Sequence, residues 1–318
     1  MQPSGVLHLG NWLGALENWT VLQDQYECCF FVADWHALST NYADTSRIRE
    51  FSREMLIDWL AAGIDPNKAI VFMQSDNPDH AVLHLLLSMM VPIPWLERNP
   101  TYKEKQEQIK ERDLSTYGFL GYPVLQAADI LIYKADFVPV GKDQLPHLEL
   151  TRELARRFNS LYKSVFPEPA ELLTHYPKVL GTDGRKMSKS YGNTINLSDT
   201  EPVVRQKLKT MVTDPARVRR SDPGNPDICP VYDLHKIFSP QPVIDQINRE
   251  CRTAEIGCID CKKLAADAMI QRLTPIWERR RKLVGEPDRV KDIVQEGAKR
   301  ARTVSHHTLE EVKTAMKM

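Results

Sequence analysis

Two lysines three residues apart, Lys186 and Lys189, are interleaved with the hydroxyls of Ser188 and Ser190 in the stretch Gly181-Thr182-Asp183-Gly184-Arg185-Lys186-Met187-Ser188-Lys189-Ser190-Tyr191-Gly192. A lysine is a compact point charge on a flexible stem, suited to following negative charge as it migrates along a polyphosphate. Glycines 181, 184 and 192 bracket the group and can take positive φ without steric cost. Met187, the one apolar member, is placed to tuck beneath the loop and latch it. A second candidate is His8-Leu9-Gly10-Asn11. There a histidine donor precedes a helix whose free amides and positive dipole end attract phosphate, and Gly10 lets the backbone approach a ligand closely. A third, Val140-Gly141-Lys142-Asp143-Gln144, leaves a strand and enters a helix, with Asp143 suited to capping that helix or binding sugar hydroxyls. Asp129 is an acidic residue in an apolar stretch, able to pair with a donor that only the correct ligand supplies. A site built that way rejects a ligand lacking the donor by roughly 10⁴. Last, Cys229, Cys251, Cys258 and Cys261 follow a C-x21-C-x6-C-x2-C pattern, a sound four-thiolate metal set.

These groups need a scaffold, and the hydrophobic patterning supplies one. Residues 10–26 read as an amphipathic helix through Trp12, Leu13, Leu16, Trp19 and Leu22. Cys28 to Asp34 is a buried-strand run, with Cys28 and Cys29 as core packing. Residues 44–62 form a helix striped by Ile48, Phe51, Met55 and Trp59, ended by Gly63 and kept from resuming by Pro66. Ala69 to Met73 is the next strand and Pro78 to Met90 the next helix. Residues 91–121, punctuated by Pro92, Pro94 and Pro100 and by the charged run Lys103 to Arg112, read as an inserted segment at a subunit interface. The sheet resumes near Ile130 to Tyr133 and at Phe137 to Val140, followed by a helix from Gln144 to Phe158. This alternation predicts an α/β fold with a Rossmann-like doubly wound parallel sheet. Beyond residue 190 the pattern is helical and polar, which predicts a catalytic domain over 1–190 and an all-helical C-terminal domain over 191–318.

The 318 residues carry 42 basic and 42 acidic side chains, so no global field drives nucleic-acid binding. Local patches at Arg217, Arg219 and Arg220, and at Arg279-Arg280-Arg281-Lys282, are the candidate RNA phosphate contacts. No apolar run reaches 18 residues and the N-terminus is not a signal peptide, which predicts a cytoplasmic protein with no membrane partner. Six cysteines in a chain of this length do not suggest a secreted disulfide framework.

Lys186-Met187-Ser188-Lys189-Ser190 resembles the KMSKS signature of class I aminoacyl-tRNA synthetases, and His8-Leu9-Gly10-Asn11 their other motif, in the expected order. Gly121-Tyr122-Pro123-Val124-Leu125-Gln126-Ala127-Ala128-Asp129-Ile130-Leu131 is similar to the tryptophanyl-tRNA synthetase pattern. Asp136 to Gly141, His147 to Arg152 and Val212 to Pro215 extend that likeness over nearly the whole chain. The resemblance implies ATP-dependent activation of L-tryptophan to tryptophanyl-adenylate, transfer to the 3′ end of tRNA(Trp), and a homodimer. It implies catalytic roles for His8, Asn11, Lys186 and Lys189. ATP would be bound by Gln2, Pro3, Ser4, Gly10, Asn11, Gly141, Lys142, Asp143, Val179 against adenine, and residues 186–190. Tryptophan would meet Tyr122, Gln126, Gln144 and Asp129, which accepts the indole N–H. Mg²⁺ would be held mostly by the triphosphate and water, since no carboxylate cage is visible. A subset of bacterial tryptophanyl enzymes carries a similar cysteine pattern with one more residue in the long spacer. That implies a structural [4Fe–4S] cluster, with Zn²⁺ the alternative and an anticodon-binding role for the helical domain. Two departures stand out: Lys142 occupies a place more often glutamate, and the chain opens almost at the first motif, so the first strand of relatives is expected to be missing or the start misassigned. A tyrosyl enzyme and a non-catalytic RNA-binding paralogue are the rival readings; the intact His8, Asn11, Lys186 and Lys189 argue against the second.

Overall fold

The computed structural model describes residues 1–99, 102, 113–173 and 179–318. After the first motif comes α1, continuous through Leu9–Asn11, a π-helical turn over Trp12–Leu16, and Glu17–Leu22. Strand β1 (Cys28–Val32), helices α2 (Asp34–Asn41) and α3 (Ile48–Ala62), and strand β2 (Ala69–Met73) form one parallel unit, with Cys28 opposite Ala69 and Val32 opposite Met73. Helices α4 (Asp79–Ser88), α5 (Ile93–Glu97) and α6 (Tyr117–Leu131) follow. A second parallel unit runs β3 (Phe137–Val140), α7 (Leu145–Leu161), β4 (Ala170–Leu173), with Phe137 opposite Ala170. The rest is helical: α8 (Glu201–Thr210), α9 (Pro230–Phe238), α10 (Gln241–Arg252), α11 (Cys258–Gly285) and α12 (Pro287–Met316).

The α/β class holds, but the strands described here form two parallel pairs instead of one sheet. The facing edges of β1 and β3 flank a cleft of about 1360 Å³. Among the described residues Met1 bonds alongside β1: its amine donates to Phe31 O at 2.9 Å, and Ala33 N–H donates to Met1 O at 2.9 Å. Burial pushes that amine down to about 5, against the opposing pull of Asp129.

Local expectations fare best where local chemistry is strong. In α3 the side chains of Met55 and Trp59 are fully buried, and Gly63 closes the helix at φ +116. The expected strand at Ile130 to Tyr133 is a correction: Ile130 and Leu131 end α6, and Ile132 caps it. A short apolar run does not distinguish a buried strand from a buried helix. The same helix absorbs residues 117–121 of the segment read as an insertion, while its charged run Lys103 to Arg112 lies outside the described residues. Helix α2 and strand β4 were not anticipated; β4 is short and mostly exposed, so it carries no apolar signal.

The halves are not packed separately. One core joins Leu7, Leu9 and Met187 to Ile195, Leu208 and Leu273 beyond residue 190. Helix α12 returns to lie on β2. It comes so close at Gly297 that an added Cβ would sit 1.9 Å from Val71 O, a clash with backbone that only glycine avoids.

Candidate active site

The two signature motifs are tied together by backbone. Leu9 N–H donates to Ile195 O and Leu197 N–H to Leu7 O, both at 2.9 Å, so the strand leaving the lysine loop pairs with the turn that opens α1. His8 caps that helix: its Nδ1 accepts from Gly10 N–H at 3.1 Å, while Asn11 Oδ1 accepts from His8 N–H at 3.1 Å. Burial, then the charge of Lys189, holds the imidazole down to about 4. A neutral ring accepting at Nδ1 carries its proton on Nε2, leaving one donor for a phosphate oxygen. Two expectations are corrected here. The amides of Leu9, Gly10 and Asn11 are already bonded, to Ile195 O, His8 Nδ1 and His8 O, so they are not free anion donors. The space above Gly10 is taken by the His8 ring, 3.0 Å from where a Cβ would stand.

The lysine loop is a hairpin hinged on backbone and on Asn193. Gly181 N–H donates to Arg185 O and Met187 N–H to Val179 O. Buried Asn193 accepts from Ser188 N–H at 2.8 Å and donates to Lys186 O at 3.2 Å and Asp183 Oδ1 at 2.6 Å. Gly184 and Gly192 take positive φ, while Gly181 is required because a Cβ there would overlap Asn193 at 2.3 Å. Met187 is buried as the latch, and Val179 packs in the same core, as part of the loop's floor. The two lysines differ. Lys189 is half-buried and donates to Gly5 O at 2.9 Å. Burial lowers its pKa to about 8, partly opposed by the negative charge of Asp58. Lys186 is exposed and makes no side-chain hydrogen bond or ion pair among the described residues.

Along the cleft, Tyr122, Gln126 and Asp129 share one face of α6. Asp129 is buried and accepts three hydrogen bonds at 2.7 Å: Gln74 Nε2 and His80 Nδ1 on Oδ1, and His36 Nε2 on Oδ2. Burial alone would raise this carboxyl, but the charge and hydrogen bonds of His36 and His80 outweigh it and hold it at about 2. It lies in the last turn of α6, whose cap residues are Thr116 and Ile132. Tyr122 and Gln144, which the resemblance placed near the ligand, are joined through His147: Tyr122 OH lies 2.8 Å from its Nε2, and Gln144 Oε1 3.0 Å from its Nδ1. Asp143 does not cap the following helix; it accepts from Gln144 Nε2 at 2.9 Å, and Lys142 beside it is exposed. Gln2, Gly141, Asp143 and Gln144 line the cleft together. Sequence reasoning missed His36, Gln74, His80 and His147. A usable signal existed for two of them, since Gln74 directly follows β2 and His36 lies one turn after β1, at strand carboxyl ends where α/β folds bind ligands.

The four cysteines gather from three elements. Cys229 precedes α9, Cys251 lies in α10, and Cys258 and Cys261 open α11. Burial, then the charges of Cys229, Cys251 and Cys258, push the Cys261 thiol up to about 12. Cys251 is raised by burial and by Cys229 and Cys258, with Arg217 opposing. Gly224 makes room for Cys251, whose sulfur would lie 2.6 Å from a Cβ there. Among the described residues no trio of Cys, His, Asp or Glu already stands at metal-binding geometry. The basic patches are largely corrected. Arg217 donates to Ile256 O and Arg220 O, and Arg220 to Ala254 O and Glu255 O. Arg279 donates to Ala61 O, and Arg280 pairs with Asp58 and Glu54 of α3. Arg219, Arg281 and Lys282 remain as exposed cations.

A family described as tRNA synthetases class I (W and Y) matches residues 1–274. The chain is 55% identical to the tryptophan–tRNA ligase of Thermotoga maritima over 100% of this chain and 98% of that one. It is 44% identical to the enzyme of Ralstonia nicotianae, over 99% and 96%. Its fold matches tryptophanyl-tRNA synthetase from Campylobacter jejuni complexed with ADP and tryptophan, with TM-score 0.92, 30% identity, and coverage of 100% and 98%.

Proposed function

Because the chain belongs to the class I tRNA synthetases for tryptophan and tyrosine, and acts as a tryptophan–tRNA ligase, we propose that its cleft holds tryptophan against Asp129 and ATP against the two signature motifs. In the first step the tryptophan carboxylate attacks the α-phosphate of ATP, giving tryptophanyl-adenylate and pyrophosphate. In the second a terminal ribose hydroxyl of tRNA(Trp) takes the tryptophanyl group and AMP departs. No side chain need act as nucleophile, so catalysis is positioning and charge stabilisation.

The observation that supports the reading is the backbone pairing of residues 7–9 with 195–197, which ties the two motifs to each other, with Gln2 of the segment before the first motif lining the same cleft as Asp129. His8 Nε2–H would donate to a phosphate oxygen, with Asn11 holding the turn. Lys186 and Lys189 would follow the charge of the departing pyrophosphate. Gln2, Pro3, Ser4, Gly10, Gly141, Lys142, Asp143, Val179, Met187, Ser188 and Ser190 would complete the nucleotide site, and Tyr122, Gln126 and Gln144 the tryptophan site. Mg²⁺ supplies charge neutralisation to the triphosphate. The two motifs offer cations and a histidine, so the ion would ride on phosphate and water. Tryptophan-dependent ATP–pyrophosphate exchange tests the assignment directly; exchange driven by tyrosine instead would overturn it.

Residues 1–190 would form the catalytic domain and 191–318 the anticodon-binding one, in a cytoplasmic homodimer. For the thiols of Cys229, Cys251, Cys258 and Cys261 the reading is a structural [4Fe–4S] cluster over zinc. The origin of the four thiols in neighbouring elements, the influence of the other three on Cys261 and the room left by Gly224 support convergence of a four-thiolate set. Anaerobically purified protein should be brown and hold about four irons per chain, losing colour in Cys258→Ser. One zinc and no acid-labile sulfide would replace the cluster with zinc.

A further inference from the structure

We propose that the tryptophan site extends through a buried donor relay to the C-terminal helix, and that the relay leaves the Asp129 carboxylate with one open acceptor position. The proposal rests on Asp129 as the reader of the indole N–H. A carboxylate has about four acceptor positions. Gln74 and His80 fill both on Oδ1, and His36 fills one on Oδ2, so a single position remains on the cleft wall. A lone open acceptor admits one N–H donor and leaves no second position for a water or a rotated ligand.

The orientation of His80 is set from behind. In the tautomer that donates from Nδ1 to the Asp129 carboxylate, Nε2 accepts the Tyr133 hydroxyl proton at 2.7 Å. Burial keeps the Tyr133 phenol protonated by raising its pKa well above the ordinary value, so it can serve as that donor. Its oxygen in turn accepts from Asn77 Nδ2 at 2.9 Å. The same Asn77 nitrogen donates to Ser305 Oγ at 3.0 Å, and Ser305 donates onward to Asp79 Oδ2 at 2.7 Å. In this arrangement an amide in the middle donates both ways, and a carboxylate terminates each end. Asn77, His80 and Ser305 are fully buried, so water cannot replace a lost member. Ser305 lies on α12, two turns beyond the Gly297 contact with β2. The C-terminal helix is thus a positioning element for amino-acid selection, although no residue of it need touch tryptophan.

The test uses the full chain and compares kcat/KM for tryptophan and 1-methyltryptophan in pyrophosphate exchange, with KM for ATP as control. Tyr133→Phe keeps the ring and removes the hydroxyl that donates to His80 and accepts from Asn77. It should raise KM for tryptophan by about 2- to 10-fold, the worth of one buried hydrogen bond, lower discrimination against the methylated analogue, and leave KM for ATP unchanged. Ser305→Ala should act in the same direction, and the double variant should be no worse than Tyr133→Phe alone, since both cut one chain. Asp129→Ala separates the two ideas. If it abolishes discrimination while Tyr133→Phe and Ser305→Ala leave the ratio at the wild-type value, the relay is overturned and the reader stands. If Asp129→Ala leaves discrimination intact, the reader falls and the relay with it. Should Ser305→Ala not fold, Tyr133→Phe decides alone.

Discussion

The surroundings of Asp129 and of the lysine loop are built on opposite principles. Around Asp129 the described partners are interior: three donors at 2.7 Å fix the carboxylate, and one of them, His80, is itself held from behind by Tyr133. Around the lysine loop the hinges are fixed by Asn193 and backbone, yet Lys186 is exposed and Lys189 reaches only to a carbonyl. Recognition of a ligand donor gains from an acceptor that cannot reorient, because an unmatched ligand then leaves a buried polar group unpaired. Pyrophosphate departure needs charge that is stronger in the transition state than in the ground state, and a lysine not yet committed to a partner can supply it. Rigidity serves selection; uncommitted charge serves chemistry.

That contrast can be broken most decisively at the lysines. Lys186→Ala or Lys189→Ala should lower the single-turnover adenylation rate by about 10²- to 10³-fold, the usual cost of removing one preorganised charge donor, with tryptophan affinity by fluorescence titration nearly unchanged. A large loss of tryptophan affinity would erase the division of labour. On the rigid side, Gly297→Ala forces a Cβ into Val71 O and should destabilise the protein by about 1–3 kcal/mol in urea unfolding. KM for tryptophan should suffer before KM for ATP, since α12 carries Ser305 and not the loop.

A smaller effect concerns pH. Lys189 must be protonated to act, and burial brings its pKa to about 8, so adenylation should fall as pH rises through that value. The charge acting on it is that of Asp58, which is itself paired with Arg280 and close to Glu54. Because the Asp58 charge raises the lysine pKa, Asp58→Asn should move the falling limb to lower pH; an unmoved limb would assign it to another group. Smallest is the acid response of His8. Its folded value of about 4 lies below the ordinary 6.5, so between those values the unfolded chain binds the extra proton and stability falls as pH drops. Melting curves of His8→Gln should show a shallower decline across that window.

Much of the site was legible because its signals are local. The lysine loop, the first motif, the glycine that ends α3 and the spacing of the four cysteines are all written in short runs whose backbone needs are intrinsic to the residues. The errors came where the same residues admit two environments. Ile130 and Leu131 are apolar enough for a strand or a buried helix, and Arg279 and Arg280 look like an RNA patch until α3 is found beneath them. The amides of Leu9 and Gly10 were free on paper and occupied in space.

By itself the sequence determined the chemistry on offer: two lysines in a glycine-framed loop, a histidine before a helix, a buried-type aspartate, four thiols and the α/β alternation that carries them. Tertiary structure alone decided what each could do. Gln74, His80 and His36 reach Asp129 from 55, 49 and 93 residues away, and Ser305 reaches Asn77 from 228. No propensity or spacing encodes such pairings, because hydrogen-bond partners over those separations are set by how the helices pack on β1 and β2. The number of acceptor positions left open on one carboxylate is a property of that packing.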